Sequence, residues 1–87
     1  MVMPEELKKL FTPYDLRYVA MFQPHIEIVG NIVKMTVPKF INVSINGIFY
    51  VWYYINKKYN PMNPGKKLTL EAYVKGIMIV KSDWYEN

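Results

Sequence analysis

Residues 40–55 read FINVSINGIFYVWYYI, a stretch made mostly of β-branched and aromatic residues. Asn46-Gly47 lies at its centre, and this dipeptide is favoured in the type I′ turns that join two antiparallel strands. A two-residue loop would place Ile45 opposite Ile48, on the face that forms the core. The stretch therefore predicts a central β-hairpin, whose second face is too apolar to be covered by water alone.

A second hairpin is predicted upstream, from His25 to Val37, with its turn at Gly30-Asn31. In this register Glu27 faces Lys34, and the apolar side chains sort cleanly onto the other face. A slip of one residue would destroy that sorting. Only Pro38-Lys39 separates this hairpin from the central one, so the spacing predicts an antiparallel meander.

The N-terminal residues have the pattern of helices. Residues 4–11 predict a short helix with Pro in its first turn and acidic residues near its N-terminus. The sequence Thr12-Pro13-Tyr14-Asp15 resembles a helix cap and predicts a second helix to about Phe22, although alternating apolar residues leave a strand open. The proline at position 24 ends either element.

The C-terminal half is less regular. Residues 56–67, NKKYNPMNPGKK, predict a long loop. Residues 68–82 allow three interpretations: one long strand bent at Gly76, which the apolar alternation favours, a hairpin that turns at Lys75-Gly76, or a helix. The tail carries Trp84 and Tyr85, and we expect it to fold back on the domain or to contact a neighbour.

These elements predict a single α+β domain over residues 1–87 that is mainly antiparallel β. A helical segment of one or two short helices (residues 1–23) precedes an antiparallel β body (24–82) and an aromatic tail (83–87). Five strands would form a small barrel, and six would form a small sandwich. The pattern does not decide between the two.

The composition limits the classes of protein. Hydrophobic residues make up 52% of the 87 residues, with eight Tyr, four Phe and two Trp. A small domain cannot bury so many, and this surplus predicts a homo-oligomer or a protein partner. The chain has no cysteine, which favours an intracellular location. We expect neither a secretory signal in MVMPEELKKL nor a membrane span, because the longest apolar run is only eight residues.

Residues suited to catalysis are few. His25 is the only histidine, Ser44 and Ser82 are the only serines, and the carboxylates are scattered along the chain. The sequence Pro64-Gly65-Lys66-Lys67 lacks the upstream glycine and the Ser/Thr of a phosphate-binding loop. The sequence therefore predicts a non-enzymatic protein with no catalytic residue, metal ligand or cofactor.

The basic residues are segregated along the sequence. Residues 34–81 contain eight Lys and a single acidic residue, Glu71. Lysines near phosphates release counterions, and a Tyr among them can stack on an unpaired base. Lys also lacks the planar fork with which Arg reads guanine. The leading prediction is therefore nucleic-acid binding with little sequence preference, through Lys57, Lys58, Tyr59, Lys66, Lys67, Lys34 and Lys39. Solvation of a loop, or an AT-rich genome, would explain the same lysines.

The alternative prediction is a protein-interaction or self-assembly subunit, such as an accessory protein of a virus or mobile element. It rests on the apolar second face of the central hairpin and on the aromatic tail. The predicted interface consists of Phe49, Val51, Tyr53, Trp84 and Tyr85. Ordinary packing of these aromatic residues against the N-terminal helices, or against a second copy, is the competing interpretation.

Overall fold

The structure, a computed structural model, describes residues 1–83, and within them the fold is α+β. A four-stranded sheet in the order β1-β2-β3-β4 has one face covered by helices. In chain order the elements are α1 (Glu5–Lys8), α2 (Pro13–Ala20), β1 (His25–Val29), β2 (Ile32–Val37), α3 (Ser44–Tyr54), a π-helical turn (Ile55–Tyr59), α4 (Asn60–Met62), β3 (Thr69–Val74) and β4 (Ile77–Ser82).

The hairpin predicted from His25 to Val37 and the N-terminal helices are confirmed. β1 and β2 are antiparallel in the predicted register, with Glu27 opposite Lys34. Thr12 caps α2, because its hydroxyl accepts from the Asp15 amide while the Asp15 carboxylate accepts from the Thr12 amide. α2 ends at Ala20, two residues before the expected end.

The predicted central hairpin is wrong, because most of residues 40–55 form α3. The buried residues Ile48, Val51, Trp52 and Ile55 have the i, i+3, i+4, i+7 spacing of one helix face. Gly47 lies inside this helix rather than in a turn, where a Cβ would overlap the ring of Phe22. Because Gly47 has no side chain, α3 can pack closely against the ring of Phe22.

The antiparallel meander is also wrong, since β2 and β3 are parallel neighbours. Parallel strands need a crossover connection of a dozen or more residues, usually with a helix. α3 and the turns that follow it supply this crossover. The region from residue 24 to 82 is thus not a purely antiparallel β body, and within residues 1–83 the open sheet has four strands rather than the five or six expected of a barrel or sandwich.

The long loop predicted for residues 56–67 is mostly helical. α3 continues through the π-helical turn into α4, which ends at Met62. Only residues 63–68 connect α4 to β3 without regular structure. The asparagine-proline pairs had indicated a loop, but Pro61 lies in α4, directly after the π-helical turn.

Residues 68–82 form the hairpin that turns at Lys75-Gly76, so the favoured single bent strand is wrong. Both turn residues have positive φ, as a type I′ turn requires. A bulge between the Ala72 and Tyr73 pairings leaves Ile79 as an extra residue. Beyond the bulge, Glu71 pairs with Lys81. In a register without the bulge, the charged Glu71 would instead face the apolar Val80.

The core lies between the helices and one face of the sheet. Its fully buried side chains come from every layer: Leu7, Val19, Ile26, Val33, Met35, Ile48, Val51, Ile55, Leu68 and Leu70. We call the opposite face of the sheet the outer face. Within residues 1–83, the helices are too short or too polar to cross a bilayer.

Candidate interaction surfaces

The outer face carries a row of alternating charges. Glu27, Lys34, Glu71 and Lys81 are cross-strand neighbours on β1, β2, β3 and β4 in turn. The Tyr73 hydroxyl donates to Glu71 Oε1 at 3.0 Å, which raises the tyrosine pKa, and Lys34 Nζ lies 5.6 Å from the centroid of the same ring. Opposite charges across strands are favourable. The row is therefore balanced, and its lysines do not form a basic surface.

A tyrosine cluster holds α2 against α3. The buried Asp15 carboxylate accepts hydrogen bonds from the Thr12 hydroxyl (2.9 Å) and from the Tyr50 hydroxyl. The bond from Tyr50 lowers the Asp15 pKa and raises that of Tyr50. The Tyr50 ring also contacts the rings of Tyr18 and Tyr54, with centroids 5.1 and 5.0 Å apart. Tyr50 thus donates to the Asp15 carboxylate, and this hydrogen bond together with the ring contacts holds α2 against α3.

An open cleft of about 350 Å³ lies on α2, lined by Tyr14, Arg17, Tyr18 and Met21. These residues are spaced i, i+3, i+4, i+7, so they form one stripe of the helix. Tyr14 is 73% exposed, and Met21 is also exposed. This stripe is not predicted by the sequence analysis, because the alternation of Tyr14, Leu16, Tyr18 and Ala20 leaves a strand open for the same residues.

The outward side of α3 is aromatic as well. Phe49 and Tyr53, two residues of the predicted interface, lie one turn apart and are both exposed. Val51 does not belong to such a face, because it is fully buried against the sheet. Trp84 and Tyr85, the other predicted interface residues, lie outside the described residues.

The predicted basic site is dispersed. Lys57 follows Tyr53 by one turn and donates to its hydroxyl at 2.9 Å, a contact that raises the lysine pKa. Lys58 donates to the Leu10 carbonyl at 3.3 Å, and its Nζ lies 4.4 Å from the centroid of the Tyr54 ring. These two lysines share the helical layer, whereas Lys34 belongs to the outer face.

The other members of the predicted basic site are also separate. Tyr59 is buried and donates to Glu6 Oε2 at 3.1 Å, so its ring cannot stack on a base. Lys66 and Lys67 are exposed in the connection before β3, and Lys39 is exposed in the connection after β2. The structure thus does not bring the whole set to one surface, since Lys34 lies on the outer face and Tyr59 is buried.

A smaller cleft of about 280 Å³ lies between α1 and α4 and is lined in part by Glu6, Lys9 and Asn63. Asn60, which follows the cleft residue Tyr59, has a buried Oδ1 for which residues 1–83 provide no hydrogen-bond partner. Asn60 is not part of the cleft lining, so the two features do not combine into a ligand site.

His25 is exposed, with Nε2 at 4.0 Å from Glu27 Oε2. Among residues 1–83, no group of three or more His, Asp or Glu side chains is placed to hold one metal ion.

Comparison with known proteins finds no matching family model, no matching curated protein and no matching solved structure. The function is therefore inferred from the surfaces of this chain.

Proposed function

We propose that this protein is a non-enzymatic protein-interaction module that binds its partner through α2 and α3. The observation that carries the proposal is a set of exposed apolar side chains on two helices that contact each other: Tyr14 and Met21 line the cleft on α2, and Phe49 and Tyr53 lie on α3. Single exposed apolar residues are common, but a group of them around a concavity is typical of a binding surface.

The contacts that hold α2 against α3 also favour a role in binding. α2 and α3 are held together by the bond from Tyr50 to Asp15 and by the contact of the Tyr18 and Tyr50 rings. Tyr18 takes part in both the tyrosine cluster and the cleft. A surface that is fixed before binding loses less conformational entropy when the partner binds.

The charges at this surface indicate the chemistry of the partner. Arg17 lines the cleft, and Lys57 lies one turn beyond Tyr53. Among residues 1–83 the cleft is lined by no acidic residue, since Asp15 is turned into the helix contact. A protein segment with an apolar side chain for the cleft and a neighbouring carboxylate for the Arg17 guanidinium fits best.

The experiment is site-specific photo-crosslinking in the native cell. A benzophenone amino acid replaces Tyr14, Tyr53 or, as the control, Val29, which is exposed on β1 away from the helices. We expect the first two positions to give one shared protein adduct that Val29 does not give, and Arg17→Glu to remove it. Identical adducts at all three positions, or none at any, would contradict the proposal.

Nucleic-acid binding with little sequence preference is the second candidate. The observation in its favour is local: Lys57 and Lys58 lie beside Tyr53 and Tyr54, which combines ammonium groups with aromatic rings. We would measure the binding of a short DNA and a short RNA across salt for the wild type and for the variant with Ala at positions 57, 58, 66 and 67. Binding that does not depend on salt, or no binding, removes this candidate. An intracellular location is part of both proposals.

A further inference from the structure

The two edges of the sheet differ. At the β1 edge, residue Val2 pairs with the strand: the Ile26 amide donates to the Val2 carbonyl at 2.7 Å, and the Val2 amide donates to the Pro24 carbonyl at 3.2 Å. β4 forms the other edge, and within residues 1–83 no strand lies beyond it. An edge strand presents unpaired amide and carbonyl groups that can template another strand.

The β4 edge is also apolar. Ile77, Met78 and Ile79 are consecutive and exposed, with Ile77 at 68%. Ile77 pairs with Val74 and Val80 pairs with Ala72, so both point to the helix-bearing side of the sheet. A long apolar edge is usually protected when a protein remains monomeric.

We propose that two copies of this chain pair through β4 in antiparallel orientation, joining their sheets across a two-fold axis. Ile77 and Val80 both point to the helix-bearing side, so the pairing that we propose places Ile77 of one copy opposite Val80 of the second copy. Met78 then lies opposite Ile79 of the second copy, and the centre of the contact is wholly apolar. Cross-strand pairs of this kind are what stabilise a sheet.

Charge complementarity selects a second copy in this orientation. Lys75 precedes β4 and Asp83 follows it, so antiparallel pairing places Lys75 of each copy beside Asp83 of the other. Asp83 is positioned there by the Thr69 hydroxyl, which donates to it at 3.1 Å. Parallel pairing would instead bring like charges together. Lys81 lies between these ends, but its cross-strand neighbour Glu71 balances its charge.

The assembly closes at two copies, because a two-fold contact uses the β4 edge of both copies, and Val2 covers the beginning of the β1 edge. The bulge at Ile79 shortens the regular part of the pairing. Small contacts below about 1,200 Å² belong to the transient class of interfaces. We therefore expect a dissociation constant in the micromolar to millimolar range.

Sedimentation equilibrium of the full chain, from about 10 μM to about 1 mM, tests the dimer, since 1 mM corresponds to only about 4 kcal/mol of association free energy. We expect the average mass to rise towards twice that of the chain. Ile77→Lys should weaken association at least tenfold, whereas Val29→Lys, at a position 57% exposed on β1, should not change it. Both variants add the same charge, and circular dichroism checks that each is folded.

A charge exchange tests the orientation. Lys75→Asp and Asp83→Lys should each weaken the dimer, and the double variant, which exchanges the two charges, should recover most of the loss. A wild type that stays monomeric at about 1 mM overturns the proposal. So do a dimer that is equally sensitive to Ile77→Lys and Val29→Lys, a continued rise in mass beyond two copies, and a double variant as weak as the two single variants combined.

Discussion

Gly47→Ala is the sharpest test of how α3 packs. In an exposed helix, replacing Gly by Ala stabilises by about 1 kcal/mol. Gly47 is buried, however, and the new Cβ would overlap three atoms of the Phe22 ring, which is itself only 2% exposed. Forcing extra volume into a packed core costs about 1–3 kcal/mol. Since a buried ring cannot swing away freely, we expect a cost in the upper part of this range, so that after the gain in helix propensity the free energy of unfolding falls by about 1–2 kcal/mol.

Urea unfolding of Gly47→Ala, Phe22→Leu and the double variant measures this directly. The leucine removes the ring atoms that the Cβ would meet, so the double variant should lose less than the sum of the single variants by about 1 kcal/mol. Asn46→Ala is the matched control, because Asn46 is exposed on the same helix, and it should be slightly stabilising. A neutral or stabilising Gly47→Ala, or additive single variants, would refute the helix–ring contact. A strongly destabilising Asn46→Ala would instead indicate a turn at this position.

Further expectations concern the titrating groups. Tyr50→Phe removes the hydrogen bond that lowers the Asp15 pKa below its usual value of 3.8. A lowered folded-state pKa stabilises above the unfolded-state pKa, and this contribution is lost as the pH falls through the folded-state pKa. Urea unfolding should therefore show a larger loss for Tyr50→Phe at pH 7 than at about pH 2, and equal losses would contradict the bond. Glu71→Gln should lower the raised Tyr73 pKa towards its usual value, followed by tyrosinate absorbance, while Glu27→Gln, one strand beyond Lys34, should leave it nearly unchanged.

Local signals predicted the parts of the fold that depend on neighbouring residues. The Thr12 cap and the β1–β2 register follow from side chains a few positions apart, and the structure confirms both. α3 was missed because its β-branched and aromatic composition favours strands, while its burial follows the helical spacing from Ile48 to Ile55. Asn46-Gly47 added a turn signal, but in the structure Gly47 lies within α3 and packs against Phe22, a residue distant in sequence.

The hairpin of β3 and β4 shows a different limit of prediction from sequence. The sequence allows its turn at Lys75-Gly76 but favours a single bent strand, because a hairpin register without a bulge places Glu71 opposite Val80. The bulge that moves Glu71 opposite Lys81 depends on the local course of β4 and has no clear sequence signal. The candidate surface was partly accessible from sequence, since Phe49 and Tyr53 were predicted, but the cleft on α2 required knowledge of which helix face is buried.

The segregation of charge along the sequence is not a segregation in space. β2 and β4, which carry Lys34 and Lys81, are each placed beside a strand that carries a glutamate. The outer face is thereby neutralised, and the lysines away from it that are adjacent in sequence are the pairs at positions 57 and 58 and at positions 66 and 67. The slope of log K against log salt is about −0.7 to −0.9 for each phosphate neutralised.

If the protein binds nucleic acid, we therefore expect a slope of about −3, rather than the value of about −6 that eight cooperating lysines would give. Lys34→Ala and Lys81→Ala should leave the slope unchanged, whereas Lys57→Ala should reduce its magnitude by nearly one unit. A steeper slope that falls equally for all three variants would show that the outer face takes part, because counterion release counts every lysine that contacts a phosphate.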